Sequence, residues 1–276
     1  MPSRLRALAL STHPGPGLAV TVVAVLLGDG LQLAPWRIAL LGLAVLANQV
    51  SVGLSNDWLD AERDRAVGRT DKPVALGLVS IRLVRVGAIA SALLGILLTV
   101  PLGLWAALAQ AVFIGAAWAY NGGLKNTPIS VLPYIVGFGV LPSIATLSRP
   151  DPVLAAPWAF GLGAMLGVAA HFANVLPDLD DDARTGIAGL PHRIGRRASG
   201  VVIWAALLLG ALFALVGPSG GPTPLQWAGL AVTLLLAAAI AVLLRRPPTR
   251  LLFQLIIAAA LVNVVLLVFS GDRLLG

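Results

Sequence analysis

The sequence predicts an all-α polytopic membrane protein of about nine transmembrane helices, and three observations predict it. Of its 276 residues, 58% are hydrophobic and only 11% are charged, where a soluble domain carries roughly 25% charged residues. The mean hydropathy is +0.91. The apolar residues also run in long stretches rather than alternating stripes, and a span needs about 20 of them.

Nine such stretches fit, at 15–34, 36–56, 80–99, 102–120, 128–147, 154–177, 199–217, 224–244 and 250–270. Pro and Gly punctuate them, at Pro35, Pro101, Pro128, Pro150, Pro218, Pro222, Pro247 and Pro248. Short connections between stretches predict antiparallel neighbours. Pro133 and Pro142 fall inside the fifth stretch and are expected to kink it. Abundant small residues permit close helix packing in lipid. Little chain is left for a soluble domain, so residues 1–276 are read as one transmembrane unit. The start, Arg4-Leu5-Arg6, is basic but runs into His13-Pro14-Gly15-Pro16, a poor match to a cleaved signal peptide. The first stretch is therefore expected to remain as an anchor.

The net charge is +7, but the cations are dispersed among loops, which argues against a nucleic-acid partner and for topology and lipid headgroups. With nine spans, all but Arg37, Arg149 and Arg273 of the 19 Lys and Arg residues fall on one side. That asymmetry predicts a cell (inner) membrane protein with a cytoplasmic N-terminus and an external C-terminus. Cysteine is absent, which excludes disulfides and thiolate metal sites.

Of 12 acidic residues, all but Asp29, Asp151 and Asp272 lie in or beside two short segments. Each segment follows a long apolar span and reads Asn-x3-Asp-x3-Asp-x3-Gly. The first is Asn56, Asp60, Asp64 and Gly68; the second is Asn174, Asp178, Asp182 and Gly186. Residues four apart stack on one helix face. Asp57, Glu62, Asp180 and Asp181 lie off that face, where exposure to solvent is as good a reading as function. The recurrence suggests an internal repeat, about 15–125 and 128–245, followed by a ninth helix.

Like charges at this spacing destabilise a helix, and burial near lipid makes them costlier. A compensating cation is expected. Hard oxygen ligands without Cys suit Mg²⁺, which keeps coordination sites for phosphate oxygens. Two carboxylate rows facing each other can hold a diphosphate through metal. Cations in the same loops, Arg65, Arg69, Lys72, Lys125 and Arg193, are candidates to contact it. Each also fits a topological or headgroup role. Tyr120, in Tyr120-Asn121-Gly122-Gly123-Leu124-Lys125, is a candidate for the cavity mouth. His171 lies one turn before Asn174, where either proton acceptance or packing fits. His192 reads as an ordinary loop residue. Trp36, Trp105, Trp158 and Trp227 read as an interfacial belt. Trp58 and Trp118 lie nearer the acids and suit cation shielding or packing.

Asn56-Asp57-x2-Asp60-x3-Asp64 resembles the first motif of the UbiA superfamily of intramembrane prenyltransferases. Asp178-x3-Asp182, with Asn174 before it and Gly186 and Leu190-Pro191-His192-Arg193-Ile194-Gly195 after it, resembles the second. Span count and topology agree, over nearly the whole chain. The family's Tyr-x3-Lys spacing is one residue longer here, from Tyr120 to Lys125. The resemblance implies helices around a central cavity under a cytoplasmic cap. It implies Mg²⁺-dependent ionisation of an allylic prenyl diphosphate and capture of the cation by a lipophilic, commonly aromatic, acceptor. It assigns Asn56, Asp60, Asp64, Asp178 and Asp182 to the metals, and Asp57 and Asn174 join that candidate set. Asp60, Asp178, Lys72, Lys125 and Tyr120 are the candidate catalytic residues, and Arg65, Arg69 and Arg193 the candidate diphosphate contacts.

Two alternatives stay open on the residues. A terpene cyclase on the same scaffold would close the cation on its own chain, and products formed without an acceptor would reveal it. A cation or solute transporter would use the acids as a binding site, but the acids lie at span ends rather than the midplane.

Overall fold

The computed structural model describes residues 4–70, 72–179, 186–244 and 250–275. Among these, nine helices of 16 residues or more correspond one for one to the nine predicted stretches. They are α2 (Pro14–Gly30), α3 (Pro35–Leu59), α5 (Ile81–Thr99), α6 (Leu104–Asn121), α7 (Leu132–Leu147), α8 (Pro157–Val175), α9 (Leu190–Val216), α10 (Pro224–Leu243) and α11 (Arg250–Val268). The described residues also form two short helices, α1 (Arg4–Leu10) and α4 (Ala61–Ala66). Six of the nine are long and apolar enough to cross a membrane by length and composition. Large exposed apolar side chains, such as Leu97, Leu104, Leu235 and Phe269, clothe the outer surface. On a soluble monomer such a surface is an aggregation liability; here it faces lipid.

The starts of α2, α3, α8, α9 and α10 carry Pro in the first turn, where its missing N–H costs nothing. Pro133 obeys the same rule: α7 begins at Leu132, so this residue starts a helix rather than kinking one, and only Pro142 is interior. The seventh apolar stretch is preceded by a helical turn from Leu190, set off by Gly195 at φ 79°.

The nine helices close into a ring. Each packs on the next in chain order, with α3 against α5 and α8 against α7 and α9 the most extensive pairs, and α11 returns to α2. Glycine sets the closest approaches. Gly163 and Gly167, one turn apart on α8, lie against α7; a Cβ on either would sit 2.3 Å from the carbonyl of Phe138 or Tyr134. This small-x3-small seam lets the two backbones touch. Trp36, Trp105 and Trp227 are exposed near helix starts, as a belt requires, but Trp158 is buried in the core.

Gly163→Ala is expected to cost about 1–3 kcal/mol, since its new methyl meets main chain that cannot turn aside. Gly115→Ala, with nothing within 4 Å of the added Cβ, is expected to be neutral or mildly stabilising. Thermal unfolding in detergent compares the two directly.

Candidate active site

The acid row on α3 survives the end of that helix because the chain barely unwinds there. Asp60 sits between α3 and α4 at φ −90°, ψ −4°. Its N–H donates to Asn56 O at 3.0 Å and its carbonyl accepts from Asp64 N–H at 2.8 Å. Asn56, Asp60 and Asp64 thus stay on one face. Gly68 then ends the segment at φ 69°, a left-handed stop that glycine adopts without a Cβ clash.

That face lines a cavity of about 560 Å³. Asn174, from the end of α8, lines the same cavity, as do Arg69, Lys72, Tyr120, Lys125 and His171. Asp178 closes a one-turn helix after α8; its side chain, and the whole of Asp182, lie outside the described residues.

Among the described residues Asp60 is the most shared carboxylate. The Lys125 ammonium donates to its Oδ1, Arg63 contacts its Oδ2 at 3.0 Å, and Asn56 Nδ2 donates to Oδ2 at 3.1 Å. Arg63 also reaches Asp64 Oδ1 at 3.2 Å. Lys125 lies in the turn Leu124–Asn126 after α6. Burial pushes its ammonium below the ordinary lysine value, and Asp60 opposes that shift. Below these groups the wall turns apolar and aromatic, with Val20, Phe113, Ala117, Tyr134 and Phe138. Tyr134 hydrogen-bonds Tyr120 and Asn174, and its ring stacks on Phe138 at 6.1 Å. Ser130 Oγ pairs with His171 Nε2 at 3.0 Å and accepts from Leu190 N–H at 2.9 Å, tying α8 to the start of α9.

Several expected residues stand elsewhere. Asp57 is neither solvent-exposed nor at the cavity: it is buried, bonded to Lys72 at 2.7 Å and His13 at 2.9 Å. Arg65 donates to Val74 O at 3.4 Å and Arg193 to Ala188 O at 3.0 Å, and neither lines the cavity. Of the three expected diphosphate arginines only Arg69 does. Trp118 donates to Ser51 Oγ at 2.9 Å and packs edge-on against Trp58, both outside the cavity wall. His192, read as an ordinary loop residue, lines the cavity, and so do Arg63, Asn121 and His13. Arg63 was detectable inside the acid row. His13 carried no local signal, because only the tertiary fold brings it to Asp57. Among the described residues no three His, Asp or Glu side chains converge closely enough to hold a metal.

The profile of the UbiA prenyltransferase family matches residues 17–269, and the chain belongs to that family. Its curated relatives transfer prenyl groups, and this chain is a prenyltransferase integral to a membrane. It is 29% identical to the digeranylgeranylglyceryl phosphate synthase of Methanopyrus kandleri, over 72% of this chain and 73% of that one. It is likewise 29% identical to the 4-hydroxybenzoate octaprenyltransferase of Burkholderia pseudomallei, over 72% and 70%. Among solved structures, a UbiA homolog from Archaeoglobus fulgidus bound to GPP and Mg²⁺ shares the fold, with a TM-score of 0.72 at 14% identity over 98% of this chain and 97% of that one.

Asp57→Ala is expected to destabilise the protein by about 3 kcal/mol, because it strands the Lys72 ammonium in a mostly buried site. Asp272→Ala, which removes a pair whose carboxylate is 78% exposed, is expected to cost less than about 1 kcal/mol. Unfolding midpoints in detergent check both.

Proposed function

We propose that the chain is a Mg²⁺-dependent intramembrane prenyltransferase that ionises an allylic prenyl diphosphate and passes the prenyl group to a lipophilic or aromatic acceptor. One observation carries this: Asn56, Asp60 and Asp64 share a single cavity with Asn174, Lys72, Lys125 and Arg69 and with an aromatic lining. The side chains of Asn56, Asp60, Asp64 and Asn174 offer the cavity amide and carboxylate oxygens, which suit Mg²⁺. Asn56, Asp60, Asp64 and Asn174 would hold it, with Asp178 and Asp182 completing the set. Asp57, sealed behind Lys72, anchors that lysine instead. Bound Mg²⁺ would supply positive charge against the leaving diphosphate.

The chain's own groups do the rest. Lys72 and Lys125 direct N–H donors at oxygens that gain charge as the C–O bond breaks. Arg63 holds Asp60 and Asp64 side by side. The apolar lower wall keeps water from the allyl cation, and Tyr120, Tyr134 and Phe138 present ring faces and edges to it. A 4-hydroxybenzoate octaprenyltransferase among the relatives favours an aromatic acceptor.

The acid-bearing end is proposed to face the cytoplasm, with the N-terminus inside and the C-terminus outside. The exceptional cations support this. Arg37, at the opposite end of α3, donates to Ser148 O at 2.7 Å, and Arg149 pairs with Asp272 at 3.0 Å. Arg273 donates to Ser219 O at 2.6 Å. The internal repeat gains support from its glycines, since Gly68 and Gly186 both adopt positive φ.

Purified protein with geranyl diphosphate and Mg²⁺ is expected to release diphosphate, and EDTA to stop it. Asp60→Ala or Asp64→Ala is expected to lower release by about 10²-fold or more, while Trp118→Phe, outside the cavity, stays near wild type. No release from any prenyl diphosphate would defeat the reading. A hydrocarbon or terpene alcohol formed without an acceptor would point to cyclisation.

A further inference from the structure

We propose that His13 is a positioning residue of the prenyl-transfer site, holding Lys72 over the cavity by sharing Asp57 with it. The inference rests on the proposed contact between Lys72 and the diphosphate.

Lys72 Nζ is held on three sides: by Asp57 Oδ1 at 2.7 Å, His13 Nε2 at 3.0 Å and Asn56 Oδ1 at 3.3 Å. An ammonium has three donors, so Lys72 keeps one for the cavity when the imidazole gives its own N–H to Asp57 instead of accepting from the lysine. His13 Nε2 also lies 2.9 Å from the same Asp57 oxygen, closing a triangle. The tautomer decides the pairing: with Nε2 protonated the ring donates to Asp57 and holds the carboxylate that fixes the lysine head, and with Nε2 unprotonated it accepts from Lys72 directly. Asp57 is fully buried, and its Oδ2 has no hydrogen-bond partner. Among the described residues its compensation therefore comes through Oδ1, from His13 and Lys72. A lysine on a flexible four-carbon stem otherwise samples many rotamers.

The backbone is arranged to bring the imidazole there. His13 precedes α2 at φ 51°, ψ 61°, a left-handed conformation uncommon for a residue with a side chain. The preceding Thr12 carbonyl lies so close to α3 that a Cβ on Gly53 would meet it at 2.2 Å. Gly53 and His13 both line the cavity. Strain and a close backbone approach at one spot, beside a charged site, mark a functional constraint more than a packing accident.

The test is calorimetric binding of geranyl S-thiolodiphosphate with Mg²⁺ to the full chain in detergent. His13→Gly removes the ring and relieves the backbone. It is expected to weaken binding about tenfold while lowering the thermal unfolding midpoint less than Asp57→Ala does. His13→Gln, which keeps a side-chain amide near Asp57, is expected to recover part of the loss. Lys72→Ala is expected to weaken binding by itself, and His13→Gly to add nothing in that background, as coupled residues require. Wild-type binding by His13→Gly, or full additivity with Lys72→Ala, would overturn the positioning role and leave the prenyl-transfer reading intact. Failure of the wild-type protein to bind would overturn both.

Discussion

Carboxylates at the ends of lipid-facing helices cannot stand uncompensated, and Asp60 is where this protein meets that constraint. Its two oxygens are divided among an ammonium from the loop after α6, a guanidinium one turn along its own segment, and the amide of Asn56. Breaking a buried pair by deleting one partner costs several kcal/mol, so the positions of α3, α4 and the Lys125 turn depend on one another. In the proposed reading, ions or substrate phosphates entering the cavity would compete for groups that are already gathered. That arrangement reduces the reorganisation needed when a charged ligand arrives.

The second half of the chain is built onto this cluster by close contact. Gly189, just before α9, lies so near the Lys125 main chain that a Cβ there would be 2.5 Å from its carbonyl. Ser130 receives the Leu190 N–H and pairs with His171, and Tyr134 bridges to Asn174. The glycine seam between α7 and α8 fixes the height at which these groups meet. Packing in the membrane interior and polar contacts at its edge thus place the ends of α3 and α8 on one cavity.

How much was legible in the sequence divides along physical lines. The nine helices were readable because a span must satisfy its backbone internally and expose apolar side chains, which leaves a long-range compositional trace. The acid rows were readable because i, i+4 spacing is local. What was hidden depends on long-range contact. Asp57 looked like one more acid of a motif, yet the fold gives it Lys72 and His13, 15 and 44 residues away. Arg65 and Arg193 cap nearby carbonyls, a use of guanidinium that composition does not betray. Pro133 sits where a helix starts, one residue beyond its first residue, and boundaries are the weakest part of any pattern reading. Trp58 and Trp118 found each other and Ser51 rather than the cavity.

The central claim is that both helix ends serve one metal-diphosphate site. Electron paramagnetic resonance of Mn²⁺, titrated into the protein with and without geranyl diphosphate, tests it most directly. The account predicts that diphosphate strengthens Mn²⁺ binding in the wild-type protein and that Asp60→Ala and Asn174→Ala each weaken that enhancement. Undiminished enhancement after cutting either side would contradict a shared site.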